Sequence, residues 1–459
     1  MKTVIGTEVH VQLQSRSKMF CSCPTEKYLE VPANSLICPT CTGQPGSKPA
    51  GVNEEILGKV IQIALALNCT VITNEPIYVR RKHYFWPDLP SGYQRTSLPI
   101  AIGGELAGVA IRECHLEEDP GRYDLRTGEV DYNRSGMPLI EIVTEPGFTS
   151  PEHARQFLEE LGAILEYLNA GRSEPGSTRV DANISIEGHP RIEVKNINSF
   201  KGVLTALAFE ETRQRNLVKH GVTYGQETRH YDEGRGITIG LRRKETADDY
   251  RYFPDPDIPP LVITPAMVEK LAKQMPELPR QKRERLAKGY GITTEEAYAI
   301  CLERPYADAF EEIAKTADAK QAARLMRGTI KKQLNWRNLQ FRQSRLSAGV
   351  ITELLSMLGK SEVTEKVGEQ LLIDFLDKGL APRVNAQKRG LLGVHGGTQL
   401  MAVVEKVISE NPKPAADYAG GKQEALHFLA GLVMAATKGR ASPGQVQEML
   451  KKALAGKRK

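Results

Sequence analysis

Residues 4–13 alternate, with Ile5, Val9, Val11 and Leu13 apolar and Glu8, His10 and Gln12 polar between them. Strand side chains point to opposite faces in turn, so this spacing predicts a strand whose second face carries an acid, an imidazole and an amide. The pattern recurs. Residues 137–145 (MPLIEIVTE) put Glu141 and Glu145 on one side. In 179–187, Arg179, Asp181, Asn183, Ser185 and Glu187 oppose Val180, Ala182, Ile184 and Ile186. In 190–197, Arg191, Glu193 and Lys195 oppose Ile192 and Val194, with Gly188-His189-Pro190 as the hairpin turn before them. A half-solvated antiparallel sheet also alternates. Acids and a histidine repeated on separate strands go further and predict a surface that binds something charged.

Helical spacing interrupts the strands at 53–67, at 151–169 behind the start signal Ser150-Pro151-Glu152, and at 201–219. The prolines of 249–260 (DYRYFPDPDIPP) predict an exposed, stiff loop without regular structure. Beyond it, alternation disappears. Residues 264–390 read as helices, followed by a three-helix unit at 398–410, 421–437 and 443–456, with Gly439 and Pro443 breaking the last connection and a basic tail at the end. The expectation is an α+β chain: a large, mainly antiparallel, cradle-like sheet domain over 1–275, an all-α region over 276–395, and a small helical tail domain over 396–459.

Composition adds little to this outline. Hydrophobic content of 40% and charged content of 26% over 459 residues describe a globular chain of two or three domains. No apolar run nears the roughly 18 residues needed to span a bilayer, and the N-terminal strand does not read as a signal peptide, so a cytoplasmic protein is expected. The net charge of +6 matters only through its placement. Between Lys320 and Arg345 lie eight Lys or Arg and no Asp or Glu. Lys320, Arg324, Arg327, Lys331, Asn335, Asn338, Arg342 and Arg345 step by three or four, which predicts one basic helix face and a polyanionic ligand.

Four of the seven cysteines, Cys21, Cys23, Cys38 and Cys41, form C-x-C and C-x-x-C pairs separated by fourteen residues. Two close pairs supply the vertices of a tetrahedral thiolate site, and a reducing compartment disfavours disulfides. The expectation is structural zinc, because four thiolates leave no open position. Standard catalytic devices are missing. Leu354 replaces the first glycine that a P-loop ending at Leu358-Gly359-Lys360-Ser361 would need, and neither a Rossmann fingerprint nor a G-x-S-x-G elbow is present. Use of ATP would require Mg²⁺ held by the carboxylate-lined sheet.

Several motifs in order resemble one family. They are Glu8-Val9-His10-Val11, the four cysteines, 82–94 (KHYFWPDLPSGYQ), 115–119 (HLEED), 136–146 (GMPLIEIVTEP), 179–183 (RVDAN) and 249–255 (DYRYFPD). Together they resemble the B subunits of aspartyl/glutamyl-tRNA amidotransferases. A looser stretch follows over 276–395, and the likeness returns at Asn411-Pro412, Tyr418, Gly421-Lys422 and Thr437-Lys438-Gly439. The resemblance implies an ATP-dependent carbon–nitrogen ligase. It phosphorylates the side-chain carboxylate of misacylated Glu-tRNA(Gln) or Asp-tRNA(Asn), and ammonia then displaces the phosphate. It implies an amidase-type glutaminase as the A subunit, a small C subunit, and tRNA binding by the tail domain. It further implies His10, Glu118 and Glu145 as Mg²⁺ ligands with Glu8 nearby, Asp181 and Asn183 beside the reacting phosphates, and Arg179 and Lys195 toward the nucleotide. Strand alternation pairs Glu8 with His10 but leaves Glu117 against Glu118 open. Arg80, Arg81, Lys82 and His83 could line an ammonia route or contact RNA or phosphate. Arg324, Arg327, Lys331 and Arg345 are the expected tRNA contacts. A noncatalytic tRNA-binding scaffold would explain the cysteines and the basic helix, but not the acidic strand faces.

Overall fold

The alternating segments become neighbours in one sheet. The computed structural model describes residues 1–172, 174, 176–242, 250–392, 397–437, 441 and 443–455. It divides into two compact units, Met1–Gln281 and Lys282–Lys459. Asp249 of the DYRYFPD motif, Lys438-Gly439 and the basic tail at 456–459 lie outside the described residues.

The principal strands of the first unit are Thr3–Gln12 (β1), Val79–His83 (β2), Tyr93–Ser97 (β3), Val109–Glu118 (β4), Pro138–Thr144 (β5), Thr178–Ile186 (β6), Ile192–Ile197 (β7), Glu227–Asp232 (β8), Ile237–Arg242 (β9) and Phe253–Pro254 (β10). Their order across the sheet is β9-β8-β7-β6-β1-β5-β4-β3-β2-β10. Neighbours in this order run antiparallel except β7 and β8, which are parallel. The sheet is therefore mixed. A parallel pair needs a crossover rather than a hairpin, and the helix Phe200–Lys219 between β7 and β8 supplies it.

Ile5, Val9 and Val11 of β1 share one buried core with Ile140 and Ile142 of β5, Val180, Ala182 and Ile184 of β6, and Ile192 and Val194 of β7. Helices at Glu54–Ala66, Pro151–Tyr167 and Phe200–Lys219 close that core. Asn53, Ser150 and Ser199 start them as N-caps, each accepting a backbone N–H of the first turn. The 249–260 segment is not the featureless loop its prolines predict. Phe253–Pro254 pairs with Arg81–Arg80, and the Asp255 carboxylate accepts Arg81 Nη2 at 3.0 Å and Arg95 Nε at 2.9 Å. Two cations outweigh the proline signal there.

Glu210 of the crossover helix is fully buried against the sheet. It accepts Arg213 Nε at 3.0 Å and Gln214 Nε2 at 3.2 Å, meets Arg229 Nε at 2.9 Å, and receives the Thr238 hydroxyl. Burial alone would raise its pKa, but these donors hold it below the ordinary value. Its stabilisation is present above the unfolded carboxylate pKa and fades as pH falls through the lower folded value. Glu210→Gln should cost about 3 kcal/mol at neutral pH, because two half-buried guanidiniums would keep only Glu227 as a counter-charge and the buried Thr238 and Gln214 donors would lose an anionic acceptor. Chemical denaturation across pH should show the difference between variant and parent shrinking on the acid side.

The second unit is helical throughout its described residues. Tyr306, Phe310, Met326, Ile330, Leu334 and Leu354 centre one core, and Leu400, Val404, Leu429, Val433, Val446 and Leu450 another. The last core is built by four helices, Gly397–Glu410, Pro412–Ala419, Gln423–Ala436 and Pro443–Ala455, where three were expected. The fourth opens at Asn411-Pro412, where a first-turn proline suits a helix start. No helix among the described residues is long and apolar enough to cross a membrane.

Candidate active site

The polar faces of β1, β4, β5 and β6 meet because their registers coincide. His10 lies opposite Glu141 on one side and Arg179 on the other, and Glu8 lies opposite Asp181. Glu141 in turn faces His115, and Leu139 faces Glu117. His10 Nδ1 is 3.4 Å from Glu117 and its Nε2 is 3.9 Å from Glu141. Ligand atoms of Glu8, His10 and Asp181 all lie within 4.8 Å of one another, so these three could hold a metal ion.

The cluster is strongly polarised. Burial opposes charge on His10, yet its hydrogen bond with Glu117 and the charges of Glu141 and Asp181 raise it to about 9. Burial likewise opposes charge on Glu117, but His10 and Lys82 bring it down to about 2. Glu141 goes the other way, to about 7, through burial and the charge of Glu117. Neighbouring carboxylates whose pKa values are pushed apart are a pattern found at functional sites. Lys82 is half-buried here, and the charges of Glu117 and Glu141 hold it protonated against desolvation. Its ammonium is 4.9 Å from the Tyr250 ring centre, and the Arg80 guanidinium is 4.7 Å from that of Tyr252. The 250–255 segment thus lies over β2, with aromatic rings on cations.

Beside the cluster opens a cavity of about 180 Å³ lined by Gly6, Glu8, Arg112, Asn183, Ser185 and Arg191, among others. Asn183 Nδ2 donates to Glu8 at 3.4 Å, while its buried Oδ1 has no partner. Arg112 and Arg191 give this end a positive rim.

The structure does not bring Glu118 and Glu145 to His10. Glu118 follows Glu117 in the strand and so points away from it, where Arg95 donates its backbone N–H at 3.1 Å and its guanidinium at 3.4 Å. Glu145 is half-exposed and accepts Arg112 at 2.8 and 3.0 Å. Glu145 lies four residues from Glu141 and just past the end of β5 at Thr144, where a bulge at Arg112 of β4 (Val143 pairs with Glu113 but Thr144 with Ile111) ends the regular pairing and Arg112 takes up its carboxylate. Arg179 is taken up by Asp119, and Lys195 by Asp181 at 3.2 Å and Glu193 at 3.5 Å. A second bulge, with Asn196 at φ +62°, lets Asp181 also accept the Asn196 N–H at 2.9 Å. Asp181 is thereby fixed in place.

The four cysteines converge as their spacing predicts, with their sulfurs within 4.8 Å of one another. The Cys38 N–H donates to Cys41 Sγ at 3.2 Å, a turn that holds the second pair. Cys41 is drawn down to about 5 by the Cys21 thiol and the nearby Lys18, despite burial, whereas burial and Cys41 push Cys23 up to about 11. Gly43, at φ +63°, packs so closely on Ser91 that a Cβ would sit 2.4 Å from its hydroxyl. The cysteine loop is thus fitted to the 87–92 turn.

Comparison with known proteins now bears on these two centres. Residues 3–269 match the family model described as "GatB/GatE catalytic domain", and residues 308–454 match the "GatB domain" model. The aspartyl/glutamyl-tRNA(Asn/Gln) amidotransferase B subunit of Methanobrevibacter smithii is 49% identical over 97% of this chain and 98% of its own length. The same-named proteins of Methanothermobacter thermautotrophicus and Methanopyrus kandleri are each 48% identical, over 97% and 98% of this chain and 99% and 98% of theirs. The chain belongs to the family of amidotransferase B subunits. The acidic cluster and the cavity of this family member both fall inside the catalytic-domain match.

The basic stretch of this B-type chain is not one helix face. It runs Ala319–Leu325, a π turn Met326–Ile330, then Lys331–Trp336, and stops at Arg337 before Asn338 at φ +53°. Arg342 sits in the short 3-10 turn Phe341–Gln343, and Arg345 lies beyond it against Gly379. Lys331 donates to Glu303 at 2.7 Å and lies over the Tyr306 ring, so it belongs to the domain's own packing. Lys320, Arg324, Arg327, Arg342 and Arg345 stay exposed.

Proposed function

We propose that this chain is the activating subunit of a cytoplasmic tRNA-dependent amidotransferase. It transfers the γ-phosphoryl of ATP to the side-chain carboxylate of Glu-tRNA(Gln), Asp-tRNA(Asn) or both. Ammonia from a glutaminase partner then displaces phosphate to give the amide, within a complex that also includes a small third subunit. The observation that carries this reading is the gathering of Glu8, His10, Asp181, Glu117 and Glu141 on one sheet face beside a cavity rimmed by arginines. The relatives' name states the amidotransferase activity and the two tRNA classes.

The donor set fits the ions required. Carboxylates and the partnerless Asn183 Oδ1 are hard oxygen ligands suited to Mg²⁺, with the borderline His10 imidazole beside them, and four thiolates suit zinc. Mg²⁺ bound at Glu8, His10 and Asp181 would offset the repulsion between an anionic phosphoryl group and an anionic carboxylate. The residues themselves position and discriminate. Arg112 and Arg191 suit a polyphosphate in the cavity, with Asn183 and Ser185 as hydrogen-bonding partners. Glu117 orients the His10 ring through Nδ1, while Nε2, 3.9 Å from Glu141, is beyond hydrogen-bond distance. Lys82, held between Glu117 and the Tyr250 ring, borders the path by which ammonia would arrive, and His83 continues it. ATP hydrolysis stimulated by misacylated tRNA tests the assignment against a noncatalytic scaffold, which would bind the tRNA without turnover.

The cradle-like sheet unit would hold the acceptor end, while the helices over 276–395 and the tail helices after 396 grip the tRNA body. Replacing Lys320, Arg324 and Arg327 together should lower the salt dependence of tRNA binding by roughly 0.7–0.9 log unit per lost contact. Lys331→Ala should instead lower stability through Glu303, leaving the salt slope unchanged. Binding titrations across ionic strength separate the two.

A further inference from the structure

Lys18 is almost completely buried, with 1% of its surface exposed, and no carboxylate among the described residues lies within salt-bridge distance of it. Its ammonium instead donates to Leu36 O at 3.0 Å, Tyr132 O at 3.2 Å and Cys41 Sγ at 3.5 Å. Three N–H groups meet three acceptors, so its hydrogen bonding is complete. Its charge is a separate matter. A buried ammonium is retained only where an anion compensates it, and carbonyl dipoles alone are weak compensation. The one group in contact that can carry negative charge is the Cys41 sulfur. From the other side, four thiolates around a divalent ion leave a net negative charge that also requires an offset.

We propose that Lys18 is the built-in counter-cation of the four-cysteine metal centre, raising its affinity for zinc. The proposal rests on the assignment of zinc to Cys21, Cys23, Cys38 and Cys41. Lys18 also gives the centre direction. It joins the metal loop, through Leu36 and Cys41, to Tyr132. Ser135 Oγ closes the same junction by donating to Cys41 O at 2.8 Å. Met19 N–H donates to Gly136 O at 3.0 Å, and Gly136 N–H donates to Asp119 O at 2.9 Å. Asp119 in turn accepts Gln12 Nε2 at 2.6 Å at the end of β1. Lys18 is a positioning residue; it touches no reacting atom.

Full-length zinc-loaded protein titrated with a chelator of graded concentration tests this, comparing Lys18→Met, Lys18→Arg and the parent. Lys18→Met fills the same volume without charge and should release zinc at about 10- to 100-fold lower chelator strength. Lys18→Arg keeps the charge and should hold zinc nearly as the parent does. Cobalt substitution gives a second readout, since thiolate-to-cobalt absorption should saturate at higher cobalt in Lys18→Met alone. Should Lys18→Met fail to fold, Lys18→Gln replaces it with the same expectation. Equal zinc retention in the neutral variants and the parent overturns the proposal. Equal loss in Lys18→Arg and Lys18→Met overturns it too, because packing rather than charge would then be responsible. A parent protein with no bound zinc would overturn the metal assignment itself, a failure distinct from both.

Discussion

Glu117→Gln is expected to abolish tRNA-stimulated ATP hydrolysis and amide formation, while tRNA binding and the partner's glutaminase remain measurable. Glu117 meets His10 Nδ1 at 3.4 Å, and it is the carboxylate held most firmly ionised in the cluster. The amide keeps the shape and loses the charge. His10 would then lose its orienting partner, and Lys82 a charge that holds it protonated, at the point where two anionic reactants must approach. A few kcal/mol of lost electrostatic stabilisation corresponds to ~10²-fold or more in rate. Glu141→Gln should act in the same direction from the other ring nitrogen. Glu145→Gln is the informative control, because its bond to Arg112 is a solvent-screened surface pair away from His10. Single-turnover phosphorylation at limiting Mg²⁺ would distinguish the two sites. Full activity in Glu117→Gln together with a dead Glu145→Gln would return the metal to the ligands that family resemblance implies.

The contrast between these glutamates marks where sequence stops being sufficient. Period-two alternation places Glu8, His10, Asp181 and Asn183 on one face, because β1 and β6 run in unbroken register through those residues. It does not carry Glu145 to the cluster, because a shared face says nothing of distance along the strand: Glu145 lies four residues from Glu141, past the end of β5, where Arg112 takes it up. It leaves Glu117 and Glu118 open because a sequence does not say which strand face His10 looks across. The apolar positions Cys114 and Leu116 carry that signal: both are buried in the core, so Glu117 must lie on the opposite face. The basic stretch fails for a different reason. Step-by-three spacing assumes a continuous α-helix, but the π turn at Met326–Ile330 and the left-handed Asn338 interrupt it. Lys331 had an acid waiting 28 residues upstream in Glu303, and such long-range pairing is invisible in spacing. The parallel β7–β8 pair was hidden similarly, since the 20-residue helix between the strands permits either direction.

Cys41→Ser is expected to remove about one bound metal ion per chain and to lower thermal stability far more than a single thiol-to-hydroxyl change elsewhere. Cys41 is a buried member of the quartet, takes the Cys38 N–H at 3.2 Å, and faces the Lys18 ammonium. A hydroxyl cannot supply the thiolate that a four-coordinate site requires. Its loss would leave three ligands, an uncompensated buried ammonium, and a loop no longer drawn toward the 130–137 segment. Metal binding to such a site is coupled to folding of the loop that makes it, so the stability change should equal much of the binding free energy. Activity should fall in parallel with folded fraction, because a closed thiolate site has no vacancy for substrate. The residual folded protein should therefore hydrolyse ATP at close to the parent rate per molecule. Metal analysis, differential scanning calorimetry and tRNA-stimulated turnover on the same sample decide the matter. A metal-free Cys41→Ser protein with unchanged melting would refute a structural role. A fully folded variant lacking turnover would instead mean that the centre reaches the chemistry through Ser135, Gly136 and Asp119.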